Sequence, residues 1–186
     1  MNMGMEEMEK DKNKKLNGDF VAILHNIRSL HNVGSIFRTA DGAGIGKIYL
    51  CGITPAPVDS FGRLVPQLAK TSLGAEKSVE WDASTRSARA TNKLLEKLKG
   101  EGYEIIAVEQ SKKSVPLNKF KVGKKKICLI VGNEVNGLPA SVLKLADKIL
   151  EIPMFGKKES LNVSVAFGVA AYHLRLSARG KRDMIS

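Results

Sequence analysis

The chain has 186 residues, 43% hydrophobic and 26% charged, the balance of one folding domain and not of a disordered or membrane chain. Its 30 Lys and Arg against 19 Asp and Glu give a formal charge of +11, which favours a polyanionic partner such as nucleic acid over a neutral metabolite. No apolar stretch approaches the ~20 residues of a membrane span, the amino terminus lacks the apolar core of a secretion signal, and Cys51 and Cys128 stand far from any CxxC spacing; a reducing cytoplasm fits, and a disulfide framework or structural zinc does not.

Residues 1–18 are rich in Met, Glu, Lys and Asn and read as a flexible basic tail, so the domain is expected over residues 19–186. Short apolar runs at 20–24, 48–51, 105–108, 127–131 and 149–152 predict buried strands. After the first run, Val33, Ile36, Phe37 and Ala40 recur at helical spacing, with Asn32 placed as the N-cap. Residues 84–99 predict a basic helix stopped by Gly100 and Gly102. Residues 162–179 predict a further helix, with Val165, Ala166, Val169, Ala170 and His173 as a buried stripe of mostly small side chains. Strands that alternate with helices place the chain in the α/β class, a mostly parallel sheet with helices on both faces.

Residues 41–47, DGAGIGK, carry the glycines of a phosphate loop but follow a helix and precede a strand, the reverse of what such a loop requires. They predict a helix end turning into a strand. His25, His31 and His173 are scattered, with no metal-ligand spacing and no nucleophile elbow, so no metal site is expected. Basic clusters at Lys10–15, Lys112–113, Lys119–126 and Arg175–182 are either solvated faces or phosphate contacts.

Three segments place polar residues beside buried strands or helix starts, where sites are usually built. Residues 25–41 run HNIRSLHNVGSIFRTAD, with Arg38 flanking the apolar helical stripe. Residues 130–139, IVGNEVNGLP, carry a strand into a glycine-punctuated loop and a proline-started helix, the carboxyl edge at which open α/β sheets bind ligands. Residues 152–166, IPMFGKKESLNVSVA, place Ser160 and Asn162 at a helix start.

In this order and spacing the segments resemble the three motifs of the SpoU/TrmH family of the SPOUT superfamily, ribose 2′-O-methyltransferases of RNA. KTSLGAE at 70–76 is similar to a further family segment. The resemblance implies an α/β fold with a carboxy-terminal deep trefoil knot, a homodimer with the site completed near the subunit boundary, and S-adenosylmethionine as cofactor. It implies that Val108, Gly132, Ile152 and Leu161 surround the cofactor. Arg38 matches the catalytic Arg; an arginine stays protonated, so its expected role is to stabilise the developing alkoxide and orient a phosphate. Asn32, Glu134, Ser160 and Asn162 match the remaining motif positions. The implied substrate is RNA, since DNA lacks the 2′-hydroxyl. With only short basic extensions around the domain, tRNA is expected in preference to rRNA, and a non-catalytic RNA-binding or assembly protein is the alternative.

Overall fold

In the computed structural model, residues 19–123 and 126–178 are described; the tail expected at 1–18 and the last basic residues, from Arg179 on, lie outside them. Seven strands form one all-parallel sheet. In chain order the elements are β1 (Phe20–His25), α1 (Leu30–Gly42), β2 (Lys47–Cys51), α2 (Pro66–Ser72), α3 (Ala75–Ser78), β3 (Glu80–Asp82), α4 (Ala88–Gly100), β4 (Glu104–Val108), β5 (Val115–Pro116), a 3-10 turn (Leu117–Lys119), β6 (Ile127–Val131), α5 (Ala140–Leu143), β7 (Lys148–Glu151) and α6 (Val163–Ala178). Across the sheet the strands run β3-β2-β1-β6-β4-β7-β5, with Ile23 opposite both Tyr49 and Ile130 in β1's two ladders. All five expected strands are present. The last is shifted by one residue, so that Ile152 lies just beyond β7.

Alternation along the central strands divides the core into two layers, because successive side chains leave a strand on opposite faces. Phe20, Ala22, Leu24, Leu129 and Val131 pack with α1 and α6 on one face, whereas Val21, Ile23, Cys128 and Ile130 pack with α4 and α5 on the other. Helices therefore cover both sides, as expected. Among the described residues no helix is long and apolar enough to cross a membrane.

The strand order has a consequence for threading. β7 follows β5 and β6 in the chain yet lies between β4 and β5. A strand inserted so late between earlier ones is compatible with the threaded chain that the resemblance implies, an exception to the rule against threaded loops.

Several local readings are corrected. The N-cap of α1 is Ser29, whose Oγ accepts a hydrogen bond from Asn32 N at 3.3 Å; Asn32 lies in the first turn, which frees its side chain. α4 starts only at Ala88, because Ser87 caps it and Asp82 Oδ1 holds Ser84 N in a turn at 2.7 Å. Gly100 is the last residue of that helix, and the break falls at Gly102, whose φ is +89°. α6 buries Phe167, Ala170, Ala171 and Leu174, while Val165 and Val169 of the expected stripe are 50% and 43% exposed. The helix is apolar on two faces, so its pattern alone does not say which one turns inward.

The glycine run after α1 behaves as expected: Ala43 caps the helix and Gly44, at φ +66°, turns the chain toward β2. Arg175 covers this helix end, donating from Nε to Ala43 O at 2.7 Å and from Nη2 to Gly44 O. This member of the last basic cluster therefore has a structural partner. The 70–76 segment supports α1 from outside, for a Cβ on Gly34 would stand 2.0 Å from Thr71 Oγ1 and 2.5 Å from Leu68 O.

Candidate active site

At the carboxyl edge of the sheet the loops after β4, β6 and β7 enclose a cleft of about 370 Å³, within the range of small-molecule sites. Val108, Gly132, Glu134, Ile152, Ser160, Leu161 and Asn162 all line it. The residues expected around the cofactor and the second and third motifs thus meet in one place.

Glu134 draws the first motif in. Its Oε2 accepts from Arg28 N at 3.1 Å, and its Oε1 accepts from Ser29 N at 3.2 Å and Asn32 Nδ2 at 3.0 Å. Asn162 Nδ2 donates to Asn32 Oδ1 at 3.1 Å, while Asn162 Oδ1 accepts from Ser164 N and Oγ at 2.9 and 2.7 Å and so caps α6. A continuous chain Glu134–Asn32–Asn162 therefore joins all three motifs. Asn133 fastens the same junction, donating from Nδ2 to Asn26 O at 2.8 Å.

Burial, the strongest single influence on the Glu134 carboxyl, pushes its pKa up. The hydrogen bonds from Asn32, Arg28 and Ser29 outweigh it and leave the group below the ordinary carboxylate value. With the folded pKa depressed, the clasp contributes stability in full above the unfolded value, ~4.3 for a glutamate, and loses it as pH falls through the folded value. Urea unfolding from pH 7 downward is expected to show an acid-side loss for the wild type that Glu134→Gln lacks. Parallel curves would remove Glu134 as the charged clasp.

Arg38 stands apart. It is exposed on α1, does not line the cleft, and makes no hydrogen bond or ion pair with the described residues. Gly132 lines the cleft, and its missing side chain also admits the protein's own backbone: a Cβ there would meet Gly137 C at 2.5 Å and Leu138 N at 2.6 Å.

The sequence reading overlooked the charge of the cleft. Glu109, Glu134, Glu151 and Glu159 line it, with no Lys, Arg or His among the lining residues, although the chain carries +11 overall. Such a site repels phosphates and attracts a cation. Apolar Val108, Val131, Ile152, Met154 and Leu161 suit a flat ring between them. A cofactor with an adenine ring, a sulfonium and an ammonium group, and no phosphate, matches these donors and walls. The signal that could have disclosed Glu109 was its position directly after a buried strand, at the binding edge of the sheet.

The model of the SpoU rRNA Methylase family matches residues 19–172. The chain belongs to this SpoU/TrmH family of RNA methyltransferases. It is 32% identical over 160 residues to a tRNA (guanosine(18)-2′-O)-methyltransferase of Aquifex aeolicus, covering 86% of this chain and 70% of that one. The structure of the A. aeolicus TrmH/SpoU tRNA modifying enzyme is similar at a TM-score of 0.72 and 29% identity, over 94% of this chain and 84% of that one. An AdoMet-bound rRNA methyltransferase from Sinorhizobium meliloti gives 0.74 and 25%, over 86% and 57%. The chain spans 62–70% of the length of curated relatives that it matches. The likeness to SPOUT structures implies the trefoil knot, with which the insertion of β7 between β4 and β5 is compatible.

Proposed function

We propose that this SpoU-family chain transfers a methyl group from S-adenosylmethionine to a ribose 2′-hydroxyl, of tRNA in preference to rRNA, and that it works as a homodimer. The observation that carries this reading is the Glu134–Asn32–Asn162 chain, which closes three separate motifs over an acidic, apolar-walled cleft. When bound, the cofactor supplies a methyl group that its sulfonium already makes electrophilic. The protein's part is then to position the hydroxyl, worth several powers of ten in rate. Ser160 and Asn162 at the cleft shape the approach, Asn32 and Glu134 hold the loops in register, and Val108, Ile152 and Leu161 wall the ring.

Arg38 reaches this chemistry across a subunit boundary. Val165, Val169, Tyr172 and Leu176 form an apolar row along α6, each 43–54% exposed, and suit a second copy of the chain. Thr39 packs beside this helix, its Cγ2 3.4 Å from where a Gly168 Cβ would stand, so Arg38 flanks the same surface. We expect Val169→Asp to sediment as a folded monomer and to lose methyl transfer. A dimeric or fully active variant overturns the assignment of this face.

The preference for tRNA draws on the structural comparison, in which the A. aeolicus tRNA modifying enzyme is 29% identical and the S. meliloti rRNA methyltransferase 25%. The test is incubation with isotope-labelled S-adenosylmethionine and purified tRNA or rRNA, followed by digestion and mass spectrometry. Label on a tRNA ribose supports the proposal, and label confined to rRNA reverses the preference. No calorimetric binding of the cofactor by folded protein points to a non-catalytic RNA-binding role.

A further inference from the structure

The loop leaving β2 belongs to none of the three motifs, yet it is tightly built. Residues 57–65 form a hairpin: Val65 N donates to Pro57 O at 2.9 Å, Val58 and Leu64 bridge antiparallel, Asp59 N donates to Arg63 O at 2.9 Å, and Gly62 N donates to Asp59 O at 3.0 Å. Gly62 has φ +76°, which completes a turn closed by a left-handed glycine, one of the standard hairpin ends. Asp59 locks the tip from inside. Its Oδ1 accepts from Phe61 N at 2.8 Å and Arg63 N at 3.0 Å, and its Oδ2 accepts from Arg63 Nε at 2.9 Å.

At that tip Phe61 is 80% exposed, with the Arg63 guanidinium 4.9 Å from its ring centroid. A cation backs the ring on one side, and the rest of it faces solvent. A single exposed aromatic is unremarkable on its own, but this one sits on a hydrogen-bonded turn and is backed by a guanidinium.

The hairpin's base is fastened to the first motif. Asn26 Oδ1 accepts from Ile53 N at 3.1 Å, and Thr54 Oγ1 accepts from Ile27 N at 3.1 Å. The next residue, exposed Arg28, has its amide on Glu134 at the cleft. Exposed Arg86 donates from Nη1 to Thr54 O at 3.0 Å. Exposed Arg28 and Arg86 are thus both tied to the segments that carry the hairpin, while the Arg63 guanidinium pairs with Asp59, Nη2 to Oδ2 at 2.8 Å.

We propose that this hairpin is an RNA-binding finger: the open face of Phe61 stacks on an unpaired base of the substrate, and the exposed Arg28 and Arg86 hold backbone phosphates. Stacking on an aromatic platform tolerates any base, and guanidinium groups take the backbone. A cofactor-binding role is unsuited to the finger, since the cleft lining does not include it. The inference rests on the RNA-methyltransferase reading above.

The test measures fluorescence anisotropy of the full chain with a fluorescein-labelled single-stranded oligoribonucleotide and with an RNA duplex of equal length, beside calorimetric titration of S-adenosylmethionine. Phe61→Ala is expected to weaken single-strand binding about tenfold and to leave duplex and cofactor affinities unchanged; Phe61→Trp restores the loss. Wild-type affinity of Phe61→Ala for the single strand overturns the proposal. So does a loss shared equally with cofactor binding, which marks a folding defect, or a change of oligomeric state without RNA, which marks a contact between copies. A wild-type chain that binds the cofactor but neither RNA overturns both the finger and the substrate reading, whereas RNA binding indifferent to Phe61 overturns the finger alone.

Discussion

Arg38→Ala is expected to lower methyl transfer by about 10²–10³-fold, the cost of removing one donor from a developing oxyanion, while binding S-adenosylmethionine with unchanged affinity. The two readouts separate because Arg38 lies outside the cleft proposed for the cofactor. It shares α1 with Asn32, but six helical residues turn the two side chains roughly 120° apart, so one cleft of one chain cannot use both in the same direction. A mixed sample tests the division between subunits. Arg38→Ala and Glu134→Ala, each inactive alone, should regain activity when exchanged into heterodimers, since one composite site then keeps both groups. Calorimetry and isotope incorporation give the two measurements. Full activity of Arg38→Ala would falsify its assignment as the catalytic cation, and no recovery on mixing places Arg38 and Glu134 in the same site of one subunit.

Gly132→Ala is expected to destabilise the domain by about 3 kcal/mol, the upper range for overpacking a filled site, lowering the melting temperature by roughly 10 °C. The added Cβ meets backbone only: Gly137 C at 2.5 Å, Leu138 N at 2.6 Å and Gly137 O at 2.7 Å. None of these atoms can rotate away as a side chain tip would. The loop they belong to is itself pinned, since Gly137 N donates to Asn133 O at 3.0 Å and Leu138 N donates to Glu109 Oε2 at 2.8 Å. Gly137 has φ +63° with the Glu109 carboxylate where its own side chain would stand. Forcing this turn apart moves Glu109 and Glu134 together, so cofactor affinity should fall with stability. Differential scanning calorimetry checks the first effect and isothermal titration the second. A variant that melts with the wild type shows that the turn opens without cost.

How much of this was readable in the sequence depends on burial. The five strands with apolar runs were legible because both faces of a parallel sheet are covered. β3 and β5 were not: Glu80–Asp82 is short and polar at one edge, and Val115–Pro116 is a two-residue pairing at the other. Periodicity located α6 but favoured the wrong face, since the helix is apolar on two sides and exposes the larger Val165 and Val169 while burying Ala170 and Ala171. The motifs disclosed the site residues as a group. The bonds that unite them were hidden, because Glu134 reaches residues more than one hundred positions away and no local pattern records such a contact. Glu109, Glu151 and Glu159 of the cleft were missed for a related reason: along the chain each looks like an ordinary solvated charge.

The place of β7 between two earlier strands bears on what a competent molecule requires. Its ladder partners, β4 and β5, both precede it, and the stretch that follows it supplies Ile152, Ser160, Leu161 and Asn162. Until that strand slides into its slot there is no wall for an incoming ring and no partner for Asn162, whatever the state of the rest of the sheet. One segment thus carries both an inner strand of the sheet and half of the cleft's wall, so a chain in which β7 is unpaired has no complete pocket.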